Sequence, residues 1–460
     1  MKAFGHDIPF HEDGHYFILK QAGPRWVGGA DFKGNMKMFT YKTSRGWAFS
    51  NSFALLVDTV KSQGWPVTLR AEHLAAWEQK GAFWQQLWSF NTAVEEISLV
   101  PSHSIICVEN GKLLCQKHET PDRCADYETA MTRFLEIWLG RAATLMQSPL
   151  KIDITGGVDS RVNLALFLSA ARRFGTPQNM TFNCGAYGRH KEDFAVAKQL
   201  SGTYKFPLNH PLETDVVSLG GEEIFTLWRL TSLGSYSPLY LPPKSASPGV
   251  LHVTGGGGEG HRPFYARTNI REHLEQTRGT LCDVHFDKIL HSIYQSIRIA
   301  GNKVPPMMLH YREFRDRLHA SLLANYSVRI MPLASRHLYA ATRFKTSREL
   351  DRNQVLFDVM SATTPTLMTQ PYDREVKLPS ADCLHDLLGD MTLNPVQGTC
   401  YFDDQGPVPE TGTGIECLAK AAAHTDARDL VAKMVHDGKL DHPQDGISIH
   451  NALLLDLVGA

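Results

Sequence analysis

Lys151–Arg161 reads KIDITGGVDSR, and Val162, Leu164, Ala165, Leu166 and Leu168 continue it as an amphipathic run. A short apolar strand entering a Thr-Gly-Gly-Val-Asp-Ser turn and then a helix is the layout of a phosphate-binding turn. Glycines let backbone N–H groups approach an anion closely, and the unpaired helix N-terminus favours negative charge. Thr155 and Ser160 add hydroxyl groups, and Asp159 is a hard oxygen donor of the kind Mg²⁺ takes. No Gly-Lys-Ser/Thr follows the glycines, so the turn is not a Walker A loop. An ordinary strand–helix turn without a ligand is the plain alternative.

A second glycine-rich turn follows a β-type run at Val250–Tyr265, VLHVTGGGGEGHRPFY. Gly255, Gly257 and Gly260 satisfy G-x-G-x-x-G, the dinucleotide fingerprint. That fingerprint needs a helix opening directly on the glycines and an acid about 20 residues on. His261-Arg262-Pro263 follows here instead, and a phosphate-type turn already lies upstream. Between the two turns, Asn179–Gly185 (NMTFNCG) reads as a buried strand and Glu192–Leu200 (EDFAVAKQL) as a helix. Strand–loop–helix alternation is what a parallel, doubly wound sheet requires, and its ligands sit at the carboxyl ends of the strands.

The Thr155–Ser160 turn resembles the pyrophosphate-loop (PP-loop) signature S-G-G-x-D-S of ATP pyrophosphatases, with Thr155 in place of the first Ser. The Thr254–Gly260 turn is similar to the S-G-x-G-x-D-E segment of asparagine synthetases and β-lactam synthetases. The resemblance implies that Thr155, Gly156, Gly157, Asp159, Ser160 and Arg161 hold ATP together with Thr254, Gly255 and Gly257. It also makes Asp159 and Glu259 the Mg²⁺ ligands. Glu192–Leu200 is similar to the helix after the strand that lines the family's adenine pocket, which gives Phe182 of that strand a cofactor-binding role. Val328–Leu333 (VRIMPL) is similar to the family's V-R-x-P-F-L segment. Pro371–Pro379 (PYDREVKLP) is similar to its late R-x-K-x-G-F stretch, which makes Lys377 a catalytic candidate; a solvated surface lysine is the alternative. Arg161 and Arg262 sit beside the turns as further candidates for phosphate or substrate carboxylate, with Arg262 counted as catalytic; a surface position with no ligand is the alternative for each.

The likeness covers roughly residues 40 to 380. Gly46–Leu56 and Phe90–Leu113 resemble the strand, helix and closing segment of the glutaminase domain of asparagine synthetases. The glutaminase nucleophile is a cysteine exposed as the mature N-terminus, with its own α-amine as base. Here Met1 is followed by Lys2 and no cysteine precedes Cys107, so this domain is expected to be degenerate. The chain also departs from the family at Gly256, where acceptor chemistry usually has Glu or Tyr, and at Gly260, where a second acid is usual. A general base would then come from elsewhere, with His261 and Glu192 as candidates.

The expected fold is α/β: an N-terminal Ntn-hydrolase-like, β-rich layered domain over 1–120 and a doubly wound parallel-sheet PP-loop synthetase domain with added helices over 121–460. The boundary is expected in the polar stretch Cys115–Tyr127, before a helical pattern from Glu128 to Met146. Asn394–Gly414 reads as a loop, and Ala423–Gly438 and Ile447–Val458 as closing helices. A net charge of −1 with 21% charged residues gives no electrostatic case for nucleic acid or an anionic membrane. No apolar run reaches membrane-spanning length and the start lacks a signal-peptide core, so the cytoplasm is the default. Eight cysteines without a C-x-x-C pair argue against a disulfide framework or structural zinc.

The resemblance implies an ATP-dependent amide-forming ligase of specialised metabolite, peptide or surface-polysaccharide biosynthesis. Such an enzyme would use ATP and Mg²⁺, a carboxylate substrate, and ammonia or an amine, and the sequence leaves a homodimer or pathway partner protein open. An inactive scaffold of the same fold and a PP-loop thiolase acting on a nucleobase are the alternatives.

Overall fold

The computed structural model describes residues 9–118, 124–175, 177, 179–243, 245–247, 249–265, 269–301, 304–322, 327–389, 391–398 and 443–459. The expected loop Asn394–Gly414 lies outside the described residues from 399 onward, and the expected helix Ala423–Gly438 lies wholly outside them. The chain is mixed α/β, with antiparallel sheets first and a parallel sheet after.

The N-terminal strands are β1 (Phe17–Ala22), β2 (Arg25–Ala30), β3 (Phe39–Lys42), β4 (Trp47–Ser50), β5 (Ile97–Leu99), β6 (Ser104–Glu109) and β7 (Lys112–Lys117). They form two antiparallel sheets, β1-β2-β6-β7 and β4-β3-β5. Met38, Val100, Ile106 and Leu113, with Phe17, Trp47 and Phe49 packed on them, join the two sheets. Helix α1 (Phe53–Ser62) leaves β4 through Ser52, whose side chain accepts from the Leu55 N–H at 3.2 Å. That hydroxyl satisfies one of the orphan donors of the first turn. Helix α2 (Ala71–Trp77) follows.

Helix α3 (Tyr127–Leu145) is capped by Asp126 and buries Met131, Phe134, Leu135, Trp138, Leu139 and Ala142. It leads into the parallel sheet. Strand β8 (Leu150–Asp153) is followed by α4 (Val158–Phe174), β9 (Met180–Asn183) and α5 (Lys191–Tyr204). A short ribbon of β10 (Val217–Ser218) and β11 (Ser245–Ala246) precedes β12 (Leu251–Val253), and β13 (Arg329–Ile330) closes the set. The sheet order is β13-β12-β8-β9, with all pairs parallel. The chain therefore runs from β8 to one side and returns to β12 on the other. Its crevice opens at the carboxyl ends of β8 and β12, where strand order reverses and ligands settle in sheets of this kind. Both glycine turns lie at those ends.

Among the described residues, two of the three apolar clusters lie wholly on one side of the expected division at residue 120, and the third crosses it. That cluster gathers Phe39, Phe53, Trp77, Trp84 and Trp88 from the first part with Trp228, Leu274, Phe286 and Phe314 from the second. The closing helix Pro443–Val458 adds Ile449 and Leu454 to the same cluster. Arg317, 1% exposed, spans the same junction: Nε donates to Gly34 O at 2.8 Å and one terminal nitrogen to Val100 O at 3.0 Å. Nothing local in either segment announces this pairing, because it is made between residues more than 200 apart in the chain. No helix among the described residues is long and apolar enough to cross a membrane.

Lys37 sits in that junction, 3% exposed, and donates to Thr231 O and, at 3.3 Å, to Ser235 Oγ. Burial pushes its pKa down to about 7, with Arg317 nearby acting in the same direction. The folded chain thus binds fewer protons than the unfolded one between that value and the ordinary lysine range. Stability should rise with pH across this window, by up to roughly 1.4 kcal/mol per pH unit, and be lost as pH falls back toward 7. Urea midpoints at pH 7 and pH 9.5 read it. Lys37→Met should flatten the profile; an unchanged slope would mean that Lys37 is not its source.

Candidate functional site

The first glycine turn is closed by its own hydroxyls. The Thr155 N–H donates to Ser160 Oγ at 2.9 Å, the two hydroxyls lie 2.9 Å apart, and the Gly157 N–H donates to Thr155 Oγ1 at 3.2 Å. Gly157 caps α4, so the first helical turn points its unpaired N–H groups out of the sheet end. The Gly156 N–H already has an acceptor, Asp193 Oδ1 at 2.8 Å, from the first turn of α5.

The second turn leans on the first. Asn163, fully buried on α4, donates from Nδ2 to Thr254 O at 2.8 Å. The Thr254 N–H bonds Ile330 O at 2.9 Å, and its hydroxyl accepts from the Gly256 N–H at 3.3 Å. A Cβ on Gly258 would lie 2.4 Å from Asp159 Cγ, so only glycine lets the loop press on that carboxyl group. Gly257 has φ +90°, a backbone that L side chains avoid, and a Cβ there would strike Ala334 N at 2.4 Å. Gly255 lies against Asp159 in the same way, its Cβ position 3.2 Å from Asp159 Cβ. A four-residue 3-10 turn, Gly258–His261, takes in the last two glycines and ends at Arg262 in extended backbone. The dinucleotide fingerprint requires a helix there, so that reading fails.

Asp159 and Glu259 come together around Arg262. The guanidinium of Arg262 grips Asp159 at 2.6 and 2.9 Å and approaches Glu259 Oε1 at 3.9 Å. Glu259 Oε2 also accepts from the Tyr311 hydroxyl at 2.8 Å. Burial pushes the Glu259 pKa up, with Asp159 adding to the effect. Burial opposes the charge on Arg262, but Asp159 outweighs it and the pKa is raised. Tyr311 opens a π-helical turn, Tyr311–Asp316, whose next residue, Arg312, donates from Nε to Gly260 O at 2.8 Å. Gly260 has room for nothing larger, since a Cβ would meet Tyr339 Oη at 2.2 Å. Behind it Asp316, Tyr339 and the buried Lys33 form a closed ionic cluster.

Lys377 reaches this site from 220 residues away in sequence. Its Nζ lies 3.9 Å from the Cβ position of Gly157 and holds both oxygens of Asp373 at 2.8 and 2.7 Å. Asp373 itself covers the turn: its N–H bonds Gly156 O at 3.3 Å, and its Cβ lies 2.5 Å from the Cβ position of Gly156.

Three expected roles need correcting. Arg161 is fully buried, and its guanidinium donates to the carbonyls of Leu367, Gln370 and Pro371 at 3.1, 2.8 and 2.5 Å. It is a clamp under the site with no face toward a ligand, because helical phase puts it inward with Val158 and Val162. Phe182 is likewise fully buried, packed in the core against Phe206 with ring centroids 4.3 Å apart. Its N–H and C=O are taken by Pro207 O and the Asn209 N–H, so neither side chain nor backbone is free for a nucleotide. His261, 1% exposed, spends both ring nitrogens on Thr342 and Leu333, and burial holds its pKa well below the usual histidine value. It cannot serve as a general base. Glu192 is exposed, and its neighbour Asp193 is the residue that meets the turn.

The turns bring together Gly156, Gly157, Asp159, Gly255, Glu259, Arg262 and Lys377, while Thr155, Ser160, Thr254 and Gly257 shape the backbone around them. Asp193, Asp373 and Tyr311 are site residues that the motifs did not single out. Asp193 had a signal in the acidic opening of its helix, and Asp373 in its i,i+4 spacing to Lys377. Tyr311 had none. No protein-family model matches the chain, and no curated protein is significantly similar to it.

Proposed function

We propose that the chain is an ATP-dependent ligase that adenylates a substrate carboxylate and passes it to ammonia or an amine. What carries the reading is one juxtaposition: two carboxylates from two glycine turns, at the carboxyl ends of adjacent parallel strands, with a lysine over the first turn. On this reading the parallel sheet is a doubly wound PP-loop domain, and the antiparallel sheets are a degenerate glutaminase-like layer of Ntn-hydrolase type.

The donor set suits Mg²⁺. Asp159 and Glu259 are hard oxygen donors that already share one cation, the guanidinium of Arg262. Among the described residues no group of three or more His, Cys, Asp or Glu is arranged to hold a metal. Mg²⁺ characteristically takes one or two carboxylates and completes its shell with phosphate oxygens and water. Bound with the nucleotide, it would shield phosphate charge during attack at the α-phosphorus. The N–H groups of the first turn of α4 would bind the departing pyrophosphate, and Lys377 would neutralise charge that grows there, the preorganised electrostatics such transfers rely on. Lys377 would have to exchange Asp373 for phosphate to do so.

One observation favours a second reading, an inactive scaffold. Three groups beside the turns already have internal partners: Asp193 on Gly156, Asp373 on Lys377, and Arg262 on Asp159. Two of the buried cysteines give a thiolase no ready thiolate. Burial pushes the Cys184 and Cys383 thiols up to about 11 and about 12, away from the thiolate form that such chemistry needs. Product analysis separates the readings. Mg·ATP with fractionated cell metabolites should yield AMP and pyrophosphate in one fraction; ADP and phosphate instead would refute attack at the α-phosphorus, and silence in every fraction would favour the scaffold.

A further inference from the structure

We propose that Arg262 is a built-in counter-ion for Asp159 and Glu259, and that it keeps divalent cations out until a nucleotide phosphate draws its guanidinium away. The inference rests on the nucleotide reading and goes beyond it, since it makes metal entry conditional on nucleotide. The geometry is that of a resident cation. Arg262 pairs with Asp159 in a fork at 2.6 and 2.9 Å, and one terminal nitrogen of that fork also lies 3.9 Å from Glu259. The pair is largely shielded, with 23% of the Arg262 and 20% of the Asp159 side chain exposed. Such charge-assisted, bidentate pairs are the strong ones, and solvent screens them less than surface pairs.

The partners differ in freedom. Asp159 is pressed by the backbone of Gly255 and Gly258, and Glu259 is held by Tyr311. Arg262 starts from an extended backbone, φ −146° and ψ 163°, as the residue before Pro263 must. Its long side chain is the member that can swing. A free metal ion arriving at Asp159 would leave this guanidinium buried and unpaired, which is costly. A metal ion arriving with a triphosphate offers the guanidinium a second planar acceptor that matches its fork. By linkage, nucleotide must then raise metal affinity and metal must raise nucleotide affinity by the same factor.

Mn²⁺ binding by electron paramagnetic resonance, with α,β-methylene ATP as the nucleotide probe, tests this without turnover. The unaltered chain should take up Mn²⁺ only when the analogue is present. Arg262→Gln should bind Mn²⁺ alone about tenfold or more tightly than the unaltered chain, the scale on which close, shielded charge pairs couple. Arg262→Lys keeps the charge and should keep most of the exclusion. Asp159→Asn combined with Arg262→Gln should remove the gain. Equal Mn²⁺ affinity of the unaltered chain with and without analogue would overturn the counter-ion role and leave the nucleotide reading standing. The converse separates them too: Mn²⁺ binding by Arg262→Gln with no analogue binding by any form would keep the counter-ion and remove the nucleotide.

Discussion

Replacing Arg161 by methionine should lower the unfolding free energy by about 3–5 kcal/mol, the scale of leaving several buried carbonyls without donors. Arg161 is fully buried, donates to three carbonyls between Leu367 and Pro371, and lies over the Tyr372 ring at 3.6 Å from its centroid. Burial pushes its pKa down, with Tyr372 opposing the shift. Methionine fills much of the volume but leaves those carbonyls in the interior without donors, at about 1–3 kcal/mol each. The segment they belong to runs directly into Asp373, which covers Gly156. The urea midpoint should fall, and the first glycine turn should become more accessible to amide exchange before the rest of the sheet. A loss below about 1 kcal/mol would mean that the carbonyls find water and that Arg161 is no clamp.

Asp159→Asn should reduce AMP and pyrophosphate formation by about a hundredfold or more, the scale on which groups facing transition-state charge act. Asparagine keeps the shape and the contacts with Gly255 and Gly258, so the fold should persist. It removes one of two charges expected to hold the metal and releases Arg262 from its fork. The same substitution should therefore weaken binding of Mn²⁺ with nucleotide even where no turnover occurs. Undiminished product formation would show that Asp159 is a structural partner of Arg262 only, and the two-turn site would lose its metal ligand.

Both effects begin in one helix that the sequence announces well. The apolar run after Gly157 and the glycines that follow β12 specify the strand–turn–helix units, because glycine and the 3.6-residue period are local signals. The approach of Lys377 to the first turn was legible only through family likeness, since no spacing links residues 157 and 377. Arg161 was misplaced for the opposite reason: its neighbours in a phosphate motif spoke louder than its helical phase, which groups it with Val158 and Val162. Phe182 shows the same conflict, since the bare residues read correctly as a buried strand and the likeness drew the side chain toward a ligand. The links from Lys33 and Gly34 to Asp316 and Arg317 join positions nearly 300 residues apart. Buried contacts of that separation leave no pattern in a single sequence, which is why the shared core lay beyond a reading by segments.

The most direct measurement is a crystal structure with α,β-methylene ATP and Mn²⁺, with the anomalous signal locating the metal. The account predicts the triphosphate at the N-terminus of α4, Mn²⁺ between Asp159 and Glu259, and Arg262 moved onto phosphate. A nucleotide bound elsewhere, or Arg262 still paired with Asp159 beside an ordered triphosphate, would contradict it.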